Sequence, residues 1–324
     1  MMVGKPVVSV IIPAYNSARW LPETLHSVVA QTWGDLEIVV VDDGSSDDTL
    51  SRAATIEDRR IKLVQQTHSG AAAARNRGLR ETTGELIQFL DADDLLSPGK
   101  ITAQVNALRT APPGSVASCA WCHFAEVPGD MQKESEPVWS EPDPFTWLVR
   151  SYTGEGMMQP GGWLVPRTIT DLAGAWDETL SLHDDADYFL RVLINSARNV
   201  FVKGPTVHYR SSAESLSRIR GRSAAESSLQ VCRSRQRILQ AVSNDEAVRV
   251  ALATRYAQFA YEFGTSAPDL AESALIAIAE LNAEPANTVG GPVFRRFVPL
   301  LGFARAVRLR SLGTRRRSQW NSWK

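Results

Sequence analysis

Over the first 124 residues, short β-branched runs alternate with stretches of helical period. Residues 7–12 are apolar but for Ser9, and beyond them Leu21, Leu25, Val28 and Val29 recur at i, i+4, i+7 and i+8, one face of a helix. Pro22 falls in the first turn of that helix, where a missing N–H costs nothing. Further strands are expected at 36–41, 60–65, 85–90 and 116–124, with helices near 48–54, 71–81 and 100–109. The pattern is a βα unit repeated four times and closed by a fifth strand. Runs such as 7–12 and 38–41 are apolar on both faces, which fits a parallel sheet covered by helices, with right-handed crossovers.

Residues 126–144 shift to Pro, Glu, Asp, Ser and Gly and read as a loop. Beyond it, 159–166 and 201–209 read as extended. Residues 185–196 read as a helix, with Phe189, Val192 and Leu193 at i, i+3 and i+4. From 224 to 284 the chain is Ala-rich and mainly helical, with no internal repeat. The fold class is therefore α/β, a mostly parallel sheet flanked by helices and followed by a helical C-terminal region.

The chain has 324 residues, 44% of them hydrophobic and 22% charged, a composition that excludes disorder as the main state. The formal net charge of -1 carries no polyanion-binding signature, so a nucleic-acid partner is not expected. That total hides a split. Nine basic and no acidic residues lie between Arg295 and Lys324, which leaves an acidic body and a basic tail. With three cysteines no disulfide framework is expected, and no stretch reaches the roughly 18–20 apolar residues that span a bilayer. A cytoplasmic location is expected.

In open α/β sheets, ligands bind beyond the carboxyl ends of the strands. Here those ends are polar: Pro13-Ala14-Tyr15-Asn16 after the first strand, Asp42-Asp43-Gly44-Ser45-Ser46-Asp47 after the second and Asp91-Ala92-Asp93-Asp94 after the fourth. Asp42, Asp43, Asp91, Asp93 and Asp94 are expected at a single crevice, with Asp91 and Asp93 on one side of their strand. Repulsion among them calls for a divalent cation. Hard oxygen donors favour Mg²⁺ or Mn²⁺, completed by substrate phosphate oxygens. Taken alone, the Asp42–Ser46 stretch is equally good turn and helix-cap chemistry.

The order of motifs resembles the inverting glycosyltransferases of family 2, which have the GT-A fold. The matching residues are Val8-Ser9-Val10-Ile11-Ile12-Pro13-Ala14-Tyr15-Asn16, Gln31-Thr32, Ile38 to Asp47, Gly70-Ala71-Ala72-Ala73-Ala74-Arg75-Asn76, and Gly84-Glu85 leading into Phe89 to Asp94. Gly174-Ala175-Trp176-Asp177-Glu178 and Asp184-Asp185-Ala186-Asp187-Tyr188 follow in the same order. The resemblance ends near Arg218. It implies metal-dependent, inverting transfer of a sugar from a UDP- or dTDP-linked donor to a saccharide or lipid-linked acceptor, in bacterial polysaccharide assembly. It also implies that Asp43 bonds the nucleotide base, that Asp93 holds Mn²⁺ or Mg²⁺ with Asp91 nearer the ribose, and that Asp185 is the catalytic base. Pro13, Tyr15, Asn16, Arg75 and Arg210 complete the donor site, and His208 is a further candidate metal ligand. Asp184 stands where the family commonly has Glu, and in 208–210 the His precedes the Tyr, a reversal of the family's order.

The resemblance divides the chain into a GT-A domain at 1–220, with a nucleotide-sugar half at 1–124 and an acceptor half at 125–220. A helical region at 221–294 and a basic amphipathic tail at 295–324 follow. Within 295–317, apolar residues alternate with arginines, a pattern suited to a membrane surface, although Pro299 and Gly302 are expected to interrupt the helix. Cys119-Ala120-Trp121-Cys122-His123 spells a haem-attachment pattern but lies in a strand-like run, where core packing is the expectation. Trp163 and Trp176 are candidates either for stacking on a sugar or for packing. A sugar-nucleotide nucleotidyltransferase would need a Gly-rich, Arg-containing loop after the first strand, and an oxidoreductase would need G-x-G-x-x-G there; neither is present. A non-catalytic nucleotide-sugar-binding or scaffold protein of the same fold is the other alternative.

Overall fold

The run at 7–12 forms the core of β1 (Val8–Ala14), the central strand of a five-stranded sheet in a computed structural model that describes residues 5–127, 135–211 and 221–311. β2 (Leu36–Asp42) and β4 (Leu86–Phe89) flank β1, both parallel to it. β3 (Ile61–Gln65) adds to β2 in parallel, and β7 (Val165–Pro166) closes the other edge antiparallel to β4. The order is β3-β2-β1-β4-β7. Val8, Val10, Ile11 and Ile12 are all inaccessible, as a strand covered on both faces requires.

The intervening helices are α1 (Leu21–Val29), α2 (Thr49–Ala54), α3 (Ala71–Arg80) and α4 (Lys100–Thr110). Leu21, Leu25 and Val28 of α1 join the cluster built on Val8, Val10 and Ile12. α3 covers the opposite face, where Ala74 packs with Val39, Val41 and Val64. Its small residues have a steric reason, because a Cβ on Gly78 would lie 2.3 Å from Ile11 Cγ2.

The fifth strand departs from the expectation. β6 (Ser115–Phe124) does not close the first sheet. It pairs in parallel with β8 (Arg198–Arg210), and β5 (Leu95–Leu96) lies antiparallel on the other edge of β8. A buried run reports a strand but not its neighbour, and here the neighbour lies some eighty positions onward. The β6–β8 register slips between Cys119 and Ala120, opposite Gly204, whose φ of +105° suits glycine. The extended reading of 159–166 resolves into a 3₁₀ turn, Pro160–Gly162, and the two residues of β7. The loop at 126–144 contains a 3₁₀ turn at Pro137–Ser140 and leads into α5 (Pro144–Thr153). α6 (Arg167–Ala173) and α7 (Asp184–Ile194) follow.

Two compact units emerge. One comprises 1–148, 156–178 and 184–214; the other comprises 149–155, 179–183 and 215–324. The second contains α8 (Arg222–Val242), α9 (Glu246–Phe263), α10 (Pro268–Leu281) and α11 (Pro292–Leu301). Asp245 caps α9 by accepting the Val248 N–H at 2.9 Å. Pro299 does not interrupt α11, which runs on to Leu301 before Gly302, at φ +74°, ends it. Among the described residues no helix is long and apolar enough to cross a membrane. Arg218, near which the resemblance ends, and the tail beyond Ser311 lie outside the described residues.

Trp163 and Trp176 are 1% and 2% exposed. They belong to an aromatic core in which Trp176 stacks on Tyr188 at 4.1 Å and Trp163 on Phe189 at 5.8 Å, so neither presents a face to a sugar. Cys119 and Cys122 are buried thiols three positions apart on β6, where side chains of odd separation point to opposite faces and cannot share one prosthetic group.

Lys100, at the start of α4, is wholly inaccessible, and its Nζ donates to Gln88 Oε1. Burial pushes its ammonium down to about 8. An unfolded lysine titrates near 10.4, so between pH 8 and 10.4 the unfolded chain holds more protons and stability rises with pH, by up to about 3 kcal/mol. Urea midpoints at pH 7 and pH 10 should show that gain in the wild type and lose it in Lys100→Met.

Candidate active site

α3 organises the site from its N-terminus. Gly70, at φ +94°, precedes the helix, and Asp43, the residue after β2, reaches across to that end. The Asp43 carboxylate is 2% exposed. It accepts hydrogen bonds from Gln66 Nε2 at 2.7 Å, Ser69 N–H at 2.9 Å and Gly70 N–H at 2.8 Å, with His68 Nδ1 2.9 Å away. It thereby ties down the two residues that lead into α3 and sits at the positive end of the helix dipole. Tyr15 stacks on His68 with ring centroids 4.1 Å apart, and both rings are open to solvent. Beside them Asn16, at φ +47°, ties its loop to the one after β2: its N–H donates to Ser45 Oγ, and its Oδ1 accepts from Ser46 N–H. Pro13 is half-buried at the end of β1, in register with Val41. Pro13, Tyr15, Asn16 and Asp43 therefore share one corner of the sheet.

The carboxylates after β4 form a second group. β1 separates β2 from β4, roughly 9–10 Å between strand axes, so along the same end of the sheet the five carboxylates form two groups, Asp42 with Asp43 and Asp91 with Asp93 and Asp94. β4 ends at Phe89, and Asp91–Asp94 form a turn closed by the Asp94 N–H on Asp91 O at 3.2 Å. The expected strand-like alternation of Asp91 and Asp93 is absent because the chain bends there. Burial, and next the charge of Asp91, push the Asp93 carboxyl up to about 6. Asp94 is raised well above the usual carboxylate range, by burial first and then by its two acidic neighbours. Its Oδ1 accepts the Arg210 backbone N–H at 2.9 Å, while the buried Oδ2 accepts nothing.

Arg210, 2% exposed, braces this turn from β8. Its guanidinium donates to Asp93 O at 2.9 Å, Ala125 O at 3.0 Å and Glu23 Oε2 at 2.5 Å, and it is sandwiched between Trp20 and Phe124. All three of its nitrogens are engaged within the protein. His208, two residues earlier, faces Leu95 in the β5–β8 register and has Nδ1 3.4 Å from Cys122 Sγ.

Arg75 connects this turn with α7. The buried guanidinium donates to Asp91 Oδ1 at 2.8 Å and Asp184 Oδ2 at 2.6 Å, and lies 4.5 Å over the Trp176 ring. Burial raises Asp184 despite this partner. One residue on, Asn76 donates to Trp176 O and Glu178 Oε1 and accepts the Trp176 N–H, which fixes the 174–178 loop. Asp185 is partly exposed in the first turn of α7, and its Oδ1 accepts the Ala186 N–H at 2.8 Å. Its charge, with those of Asp184 and Asp91, acts on Arg75. Asp91, Asp184 and Asp185 are thus gathered around one guanidinium.

Among the described residues no group of three or more His, Cys, Asp or Glu is arranged to hold a metal ion alone. The donor set nevertheless fits a hard divalent cation of the kind that takes one or two carboxylates and completes its shell with substrate phosphate. Asp93 is a buried carboxylate beside a like charge, and Asp94 Oδ2 is a buried acceptor lacking a donor.

Several positions were not legible beforehand. His68 and Gln66 around Asp43 follow β3 directly before Gly70, and their signal is the same as at the other strands, polar side chains just past the carboxyl end. Glu23, in the first turn of α1, and the aromatic sandwich on Arg210 had none.

Residues 9–171, half of the chain, match the family model described as Glycosyl transferase family 2. An uncharacterized glycosyltransferase of Rickettsia typhi is 30% identical over 199 residues, 58% of this chain and 59% of that protein. The UDP-Glc:alpha-D-GlcNAc-diphosphoundecaprenol beta-1,3-glucosyltransferase WfgD of Escherichia coli is 38% identical over 103 residues, 32% of this chain and 41% of that protein. An uncharacterized glycosyltransferase of Rickettsia conorii is 44% identical over 103 residues, 32% of this chain but only 17% of that protein. The chain therefore spans less than two thirds of the length of each of these relatives. Among solved structures, S. aureus TarS 1-349 in complex with UDP-GlcNAc superposes with a TM-score of 0.69 at 20% identity, covering 94% of this chain and 89% of that one. The mannosyltransferase PcManGT from Pyrobaculum calidifontis, in complex with GDP-Man and Mn²⁺, gives 0.54 at 20% identity, covering 95% and 88%. The fold is GT-A, and the chain belongs to glycosyl transferase family 2.

Proposed function

We propose that the chain is an inverting glycosyltransferase that moves a sugar from a nucleotide-sugar donor to a hydroxyl of a saccharide or lipid-linked acceptor, with Mn²⁺ or Mg²⁺. The observation that carries this reading is the double ion pair of Arg75, which holds the turn after β4 and the start of α7 on one side chain. A displacement at an anomeric carbon needs an electrophile for the departing diphosphate and a base for the incoming hydroxyl, on opposite faces of the sugar. The Asp91–Asp94 turn and Asp185 are the two halves of that arrangement.

The nucleotide base lies in the Pro13–Asn16 corner, against the exposed Tyr15–His68 stack and over Asp43. UDP or dTDP is the favoured carrier, in keeping with the UDP-Glc donor in the name of the E. coli relative. Asp93 would hold the metal and Asp91 the ribose side of the donor; when bound, the metal neutralises charge that develops on the diphosphate. Arg75 acts by positioning Asp91 and Asp184, and Arg210 by holding the Asp93–Asp94 backbone and placing a positive charge beside it. His208 adjoins this turn through β5 and is a second candidate ligand. Asp185, partly open to solvent in the first turn of α7, takes the acceptor proton in one displacement, so the anomeric centre inverts without a protein nucleophile.

The acceptor ring has a platform on β6 and β8. Trp121, His123 and Tyr209 are half-buried and meet edge to face with centroids 5.1–6.1 Å apart, one residue from Arg210. That face replaces Trp163 and Trp176 as the aromatic surface available to a sugar.

Asp185→Asn should lower kcat by about 10²–10⁴-fold, with the donor Kd within twofold of the wild type by calorimetry. Retained turnover would move the base elsewhere. Asp93→Asn should abolish the gain in donor affinity that Mn²⁺ confers, and an undiminished Mn²⁺ effect would refute the assignment. Trp121→Ala should raise the acceptor KM by about 2–10-fold at unchanged donor affinity, the range expected for one aromatic packing contact.

A further inference from the structure

We propose that α11 docks the chain on an anionic lipid bilayer. Eleven large hydrophobic side chains are exposed among the described residues, and four of them, Val293, Phe297, Leu300 and Leu309, fall within seventeen positions. Val293, Phe297 and Leu300 are 68%, 52% and 78% exposed and, at 100° per residue, occupy an arc of about 60° on α11. This is not a helix turned the wrong way. On its adjoining face the Phe294 ring is already used, meeting Tyr261 at 4.8 Å and Phe303 at 5.7 Å. The outer strip is held outward by an inner one.

Charge selects the occupant. Arg296 borders the strip, Arg295 is on the same helix and Arg305 is exposed beyond Gly302, and none of the three has an acidic partner among the described residues. From 285 to the last residue the sequence contains no Asp or Glu. A two-fold contact between copies would set this patch against itself, arginine facing arginine. A surface of lipid phosphates answers the arginines, and the acyl boundary beneath takes Phe297 and Leu300, as interfacial helices with basic flanks do. Each arginine near an anionic surface adds about fivefold in affinity.

The test is flotation of the full chain with vesicles of phosphatidylglycerol and phosphatidylcholine (1:1) or of phosphatidylcholine alone, at 0.1 M and 0.5 M NaCl. The wild type should float with the anionic vesicles, less so at high salt, and at least tenfold more weakly with the neutral ones. Phe297→Asp with Leu300→Asp should reduce flotation at least tenfold at an unchanged melting temperature. Arg295→Gln with Arg296→Gln should reduce it by a similar factor and weaken its salt dependence; this pair carries the test if the Asp variant melts early. Failure to float with the anionic vesicles overturns the proposal, as does equal flotation of the wild type and the Arg295→Gln/Arg296→Gln variant. It is equally overturned if light scattering shows self-association that Phe297→Asp abolishes while vesicles leave the protein in solution. None of these readouts depends on sugar transfer.

Discussion

A guanidinium taken out of water must be answered by charge, and the site is built around the answer to Arg75. The side chain is 6% exposed and is met by carboxylates from the turn after β4 and the start of α7, positions 16 and 109 residues away in the chain. Removing one partner from such a buried set costs about 3–5 kcal/mol, because the remaining charge has nowhere to go. The pairing therefore works as a constraint on geometry more than as a source of net stability. It requires α3, the turn after β4 and α7 to meet, and so gathers Asp91, Asp184 and Asp185 around one side chain.

α3 can act as this spine because of what it lacks. Four consecutive alanines and Gly78 let it lie directly on β1, close enough that a single Cβ at 78 would collide with Ile11. Its N-terminus is held by Asp43 and its middle by Arg75 and Asn76, so three separate loops take their positions from ten residues. The price is a crowded acidic turn. Asp93 and Asp94 are buried near Asp91, and the stacked, fully engaged Arg210 provides only partial relief. Carboxyls raised in this way are poised to gain from a cation that arrives with a phosphate-bearing donor.

The second compact unit follows a different logic. Its helices carry no residue of the catalytic proposal, and α11 leaves an apolar strip and basic side chains uncovered. An acceptor carried on lipid would be met at a membrane surface, and a peripheral helix is one way of working there.

Much of this was legible because it is local. Continuous apolar runs identify strands covered on both faces, the 3.6-residue period identifies α1 and α7, and the order of short polar motifs after the strands identifies the family; each depends on residues close in sequence. Only the tertiary structure decided what depends on partners. β6 belongs to a different sheet from β1 because its pairing is chosen by β8, far along the chain. Asp91–Asp94 is a turn and not a strand end. Trp163 and Trp176 are core while Trp121 and Tyr209 are accessible, although all four are aromatic residues in apolar surroundings. Arg75 and Arg210 read alike from the resemblance as donor contacts, and only the tertiary structure shows that both hold carboxylates and backbone within the protein. Sequence period reports which side of an element is buried, whereas the identity of what buries it is a long-range property, and for charged groups that identity determines the chemistry.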